Sequence, residues 1–134
     1  ELMGGIDCKG VELNANISIE QEKKKGRNVL GVLPAGSEMN GHVAPLIVCA
    51  HVDHLGSSGG SNSRAKGDEV NKVHHGADDN ASGTSGVLEI AQWLADLKKQ
   101  GKLTLKRDII FAAWSGEELG LLGSNHFVEA YAKK

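Results

Sequence analysis

Residues 108–118 read DIIFAAWSGEE. Ile109 to Trp114 is apolar without interruption, the pattern of a strand buried on both faces at the centre of an α/β sheet. A short turn, Ser115-Gly116, delivers two acids, Glu117 and Glu118, directly past its end. Upstream, within residues 82–101, Val87, Ile90, Ala91, Leu94, Ala95 and Leu97 recur at three- and four-residue spacing, which marks one face of a helix. Lys98 and Lys99 fall in its last turn, where cations suit the helix dipole, and Gly101 supplies the stop. Further upstream, residues 45–50 (PLIVCA) repeat the fully apolar strand pattern and run into His51, Val52, Asp53 and His54. Strand, helix, strand forms one βαβ crossover, so these two strands are expected to be parallel.

Working outward, residues 11–20 (VELNANISIE) alternate apolar and polar, as a half-buried strand does. Residues 28–33 (NVLGVL) give a further strand. The polar link QEKKKGR at 21–27 suits an exposed hairpin turn, so these two are expected to pair antiparallel. Residues 121–132 form a final helix with Leu122, Phe127, Val128 and Tyr131 as its apolar face. The expected fold class is α/β, a mixed β-sheet flanked by helices. The polar stretch 56–75 has no periodicity and reads as a long loop of functional type.

The chain has 134 residues, a natural length for one domain. Charged residues make up 24% and hydrophobic ones 40%, a balance that excludes wholesale disorder. Fifteen basic against 17 acidic residues leave no electrostatic footprint for nucleic acid, and 4% aromatics argue against base stacking. No apolar run is long enough to span a bilayer, so no membrane partner is expected. Cys8 and Cys49 make no disulfide framework, and Cys49, inside an apolar strand, reads as a buried thiol. Trp93 and Trp114 read as core packing.

Open α/β sheets carry their sites beyond the carboxyl ends of the strands. His51 with Asp53 falls there, and so do Glu117 and Glu118. Gly76-Ala77-Asp78-Asp79-Asn80 leads into the long helix. Singly, each cluster has an ordinary reading: HxD as a turn, paired glutamates as a solvated face, Asp-Asp-Asn as a helix cap. Together they bring several carboxylates to one edge, where they repel unless a cation lies between them. Imidazole with carboxylates suits zinc, and His51 argues against calcium or magnesium.

AHVDH at 50–54, GADDNASGTSG at 76–86 and WSGEELGLLGS at 114–124 resemble, in order and spacing, the three signature segments of the M28 zinc peptidases, in their aminopeptidase branch. The resemblance runs from about Asn28 to the end. It implies the zinc-dependent exopeptidase fold of the phosphorylase/hydrolase type, cut short here, with residues 1–27 similar to the junction after a protease-associated domain. It implies two zinc ions, with His51 on the first, Asp79 bridging both and Glu118 on the second. Glu117 corresponds to the general base, and Asp53 to the acid that holds the other nitrogen of His51. The peptide bond after Asp79 is expected to be cis. The implied activity is removal of N-terminal residues from a peptide with a free N-terminus, by a zinc-activated water. Secreted or periplasmic location is implied on the same ground.

The family pattern has two further ligands, an acid and a histidine, that find no match by position in this chain. The chain is therefore expected to be the N-terminal portion of a catalytic domain, a weak zinc binder and a poor peptidase by itself. Strands left as edges are expected to promote self-association. Glutaminyl cyclase, a carboxypeptidase relative and a non-catalytic peptidase-like scaffold are the alternative readings. His54 reads as a structural hydrogen-bonder. Asp78 reads as a cap or supporting acid, and His42, His74, His75 and His126 read as surface residues.

Overall fold

The computed structural model describes residues 9–20, 23–36, 43–57 and 63–132. Three strands, β1 (Val29–Leu33), β2 (Leu46–His51) and β3 (Ile109–Trp114), form one mixed sheet in the order β1-β3-β2. Two helices accompany it, α1 (Gly83–Lys99) and α2 (Leu122–Ala132). This is an α/β unit, with β2, α1 and β3 forming the crossover. β2 pairs parallel with β3, from Leu46 opposite Ile109 to His51 opposite Trp114. The amide of Val52 extends that ladder by one bond, to the carbonyl of Trp114 at 2.9 Å. The register sets the ends of both strands side by side, so His51 and Ser115 leave the sheet at the same edge.

β3 is the centre of the structure because both of its edges are paired and its residues are apolar on both faces. Ile109, Phe111, Ala112 and Trp114 are buried, and with Ala50 of β2 they make up the buried apolar core of the described residues. α1 packs on β2 and β3, with Val87, Ala91, Leu94 and Leu97 half-buried. α2 docks through Phe127, whose ring centroid lies 5.1 Å from that of Trp114.

Several expectations are corrected. Residues 11–20 form no strand: Leu13 and Ile19 are 87% and 85% exposed. Alternation specifies which face a strand would bury, but not which edge it would pair with. The antiparallel partner of β1 is instead β3, from Val29 opposite Ala113 to Leu33 opposite Ile109. β2 is not covered on both faces, since Leu46 and Ile47 are exposed, and Cys49 on the same strand is an exposed free thiol. An apolar run shows which faces can be buried, not how many layers cover them. Trp93 lies off the Val87–Ala91–Leu94 stripe of α1 and is exposed, and Leu122, Val128 and Tyr131 of α2 are exposed as well. Cys8 and His42 lie outside the described residues.

Asn28 ties these elements together. Its Nδ2 donates to the carbonyl of Gly123 at 2.8 Å, and its Oδ1 accepts the amide of Ser115 at 3.1 Å. One amide side chain thereby joins the start of β1, the turn after β3 and the first turn of α2. Gly123 permits this closeness, because a Cβ there would run into Asn28 Oδ1 and the Ser115 carbonyl. Replacing Asn28 with alanine leaves a part-buried amide and a part-buried carbonyl without these partners. Asn28→Ala is expected to lower unfolding stability by about 1–3 kcal/mol, read as a shift in the urea midpoint at unchanged slope.

Candidate metal centre

The site is assembled from three chain segments that meet beyond the ends of β2 and β3. The last residue of β2 brings His51, which is half-buried. Its Nδ1 lies 3.0 Å from the backbone carbonyl of Asp53. A carbonyl only accepts, so Nδ1 carries a proton, and Nε2 is the nitrogen open to a second proton or to a metal. That nitrogen faces acid: Nε2 is 3.0 Å from Asp79 Oδ1 and 3.8 Å from Glu117 Oε2.

Asp79 comes from the segment leading into α1. Residues 77–82 coil helically except at Asp79 (φ −114°, ψ 90°) and Asn80 (φ −138°, ψ 40°), and the peptide bond between these two is cis. Asn80 Oδ1 accepts the amide of Gly83 at 3.1 Å. This contact with the amide that opens α1 falls to the asparagine and leaves the carboxylate of Asp79, which is 66% exposed, for the site. Thr84 Oγ1 donates to the carbonyl of His51 at 3.0 Å, which locks the first turn of α1 to the end of β2.

Glu117 and Glu118 follow β3 through Gly116, whose φ of 71° lets the chain turn sharply without the steric cost of a side chain. The two acids then diverge. Glu117 approaches His51, while Glu118 Oε1 lies 2.7 Å from Nδ1 of a second histidine, His54. Asp53 differs from the geometry the resemblance implied. Its carboxylate is 3.9 Å from His51 Nδ1, and the carbonyl of the same residue makes the hydrogen bond. The carboxylate instead accepts the amides of Glu117 at 3.1 Å and Glu118 at 3.2 Å. Asp53 thus orients His51 with its backbone and the two glutamates with its side chain.

His51, Asp79 and Glu118 each offer one ligand atom, and these atoms all lie within 4.8 Å of one another. Of the remaining candidates, Asp78 contributes only its backbone carbonyl, to Ser82 Oγ at 2.6 Å. His74 is not a free surface residue: it is half-buried, with Nε2 2.9 Å from Ser63 Oγ. His75 and His126 are exposed. The contact of His54 with Glu118 is a partnership that the sequence signals only by the position of His54, one residue past Asp53.

An imidazole and carboxylates converging at the carboxyl edge of a parallel strand pair define an α/β protein with a His/Asp/Glu cluster that could hold a metal ion. The chain belongs to peptidase family M28, whose profile matches residues 28–134. It is 31% identical over 125 residues to Aminopeptidase NAALADL1 of Rattus norvegicus, covering 93% of this chain and 14% of that protein. It is 32% identical over 126 residues to a probable leucine aminopeptidase of Trichophyton verrucosum, covering 94% of this chain and 29% of that protein. A glutamate carboxypeptidase 2 homolog of Caenorhabditis elegans is 26% identical over 122 residues, or 91% of this chain and 13% of the relative. The chain therefore spans less than a third of each of these relatives. No solved structure gives a significant match. No helix among the described residues is long and apolar enough to cross a membrane.

Burial of His51 lowers its pKa, but the Asp53 carbonyl and the carboxylates of Glu117, Asp79 and Asp53 together outweigh this and hold it above the ordinary 6.5. In the chain without added metal, the imidazolium thus stabilises the fold. A raised folded pKa contributes fully below the ordinary value, and the contribution disappears as pH rises through the folded value. An NMR titration is expected to place His51 above 6.5 and to find it lower in Asp79→Asn. That variant should also lose part of the stability gained on the acid side of neutrality.

Proposed function

We propose that this chain carries the zinc-binding half of an aminopeptidase site, and that its parent protein removes N-terminal residues from peptides. The observation that carries the reading is the meeting of ligand atoms of His51, Asp79 and Glu118 within 4.8 Å, in a member of peptidase family M28. The donor set fits zinc, since one neutral imidazole nitrogen and carboxylate oxygens are ligands that zinc accepts. His51, Asp79 and Glu118 would hold the metal, and Asp79 would be the shared ligand if two ions bind. When bound, zinc supplies Lewis acidity, polarising a carbonyl and lowering the pKa of a water.

The rest of the chemistry belongs to this chain's own side chains. Glu117 is the general base in this reading: its carboxylate lies beside the cluster, with one oxygen 3.8 Å from His51 Nε2. It takes the proton from the attacking water and passes it to the leaving amine as the peptide bond breaks. Asp53 holds the Glu117 amide, so base and ligand share one support. The names of the relatives divide between aminopeptidases and glutamate carboxypeptidases. The preference for the free N-terminus rests on Aminopeptidase NAALADL1 and the fungal leucine aminopeptidase, which share 31% and 32% identity over nearly the whole chain against 26% for the nematode carboxypeptidase homolog.

Two outcomes are expected. Zinc binding by the chain should release a proton and weaken as pH falls through the His51 value, because metal and proton compete for Nε2. Calorimetric titration in buffers of different ionisation enthalpy measures this, and pH-independent binding would exclude His51 as a ligand. In the parent protein, Glu117→Gln should lower kcat on a leucyl-nitroanilide by about 10²–10⁴-fold with zinc content unchanged. Release of C-terminal residues alone from an unblocked peptide would reverse the aminopeptidase assignment.

A further inference from the structure

His54 is drawn into the site by contacts that the chemistry above does not use. Its Nδ1 lies 2.7 Å from Glu118 Oε1, with the two side chains 22% and 18% exposed. A carboxylate accepts and does not donate, so the proton of this hydrogen bond sits on Nδ1. The ring is also held mechanically. It stands edge-on to His74, with centroids 6.0 Å apart and an interplanar angle of 82°, and His74 is tied to Ser63. On another side lies Gly76, with φ 61°. A Cβ at that position would come within 2.9 Å of His54 Cγ, 3.0 Å of Cδ2 and 2.9 Å of the Asp79 carbonyl. The ring is thus wedged against the turn that leads into Asp79 while its nitrogen grips the acid after β3.

Glu118 is a glutamate with three rotatable bonds, and holding it in one conformation costs side-chain entropy at the moment a metal binds. A hydrogen bond to one oxygen removes most of that freedom beforehand. We infer that His54 is a positioning residue for Glu118, fixing one carboxylate oxygen so that the group is already aimed at the metal before it arrives. This rests on the proposed metal site and adds to it a supporting donor that also joins the Glu118 turn to the Asp79 turn. The physical precedent is general: partners of metal ligands set ligand orientation, and their loss costs about 10–100-fold in metal affinity.

The test separates the hydrogen bond from the space the ring fills. His54→Phe keeps the ring and removes the donor, whereas His54→Asn keeps an amide nitrogen at the position of Nδ1 and removes the ring. Zinc titration of the full chain should find His54→Phe weaker than wild type by about 10–100-fold. His54→Asn should stay within about threefold, as expected if the donor is what counts. If His54→Phe does not fold, His54→Gln, which displaces the donor by one bond, takes its place in the comparison. In the chain without metal, the Nδ1–H resonance of His54 should be visible by ¹⁵N NMR and should move in Glu118→Gln. Equal zinc affinity in wild type and all His54 variants would overturn the inference while leaving the metal site standing. Equal weakening by His54→Phe and His54→Asn would assign the effect to packing and overturn it too. Failure of wild type to bind zinc would overturn the metal site itself, whatever the His54 resonance does.

Discussion

The carboxylate of Asp53 accepts two consecutive backbone amides, those of Glu117 and Glu118, and the geometry of the site depends on that contact. Parallel strands leave the sheet side by side, but nothing in the ladder itself fixes the loops beyond its end. Asp53, two residues past β2, fixes the loop after β3. The donors are peptide N–H groups and the acceptor is charged, a combination stronger than a neutral hydrogen bond. Because the same residue's carbonyl holds His51, one short turn orients an imidazole and two carboxylates together.

Holding those carboxylates close has an electrostatic consequence. Asp79 and Glu117 both face His51 Nε2, and the Asp53 carbonyl keeps the ring's proton on the other nitrogen. Either a second proton or a metal cation must sit among these oxygens for their proximity to be favourable. The second histidine works in the opposite sense. His54 donates a hydrogen bond from Nδ1 to Glu118 Oε1 and gives that side chain a defined direction. The two adjacent glutamates thereby belong to different histidines, and they divide the labour of base and ligand proposed for them.

The fold serves this arrangement economically. The buried core of the described residues lies almost wholly on β3, which both neighbouring strands and both helices use as support. Asn28 extends that support past the sheet, to Ser115 and to α2. Thr84 does the same for the other side, fastening α1 to His51. Each polar group of the site is therefore one or two residues from a backbone atom that is itself fixed.

The sequence by itself determined β2, α1 and β3, because uninterrupted apolar runs and a three-to-four spacing are local properties of the chain. It also determined which residues meet, since His51, Asp79, Glu117 and Glu118 each sit at the terminus of an element whose direction the crossover sets. The family signature added names to those positions. Tertiary structure alone decided the rest. Val11 to Ile19 alternates as well as a strand should, yet β1 takes β3 as its partner, because alternation records a face and pairing depends on which edge is offered. β2 reads as fully buried and is half bare, because burial requires a covering layer that no local pattern encodes. Asp53 reads as the acid that holds a histidine, but its carbonyl takes that task and its carboxylate takes the Glu117 and Glu118 amides, because the turn's backbone decides which oxygen points where. The role of His54 is of the same kind: its contact with Glu118 spans 64 positions of sequence, and only the folded chain brings them together.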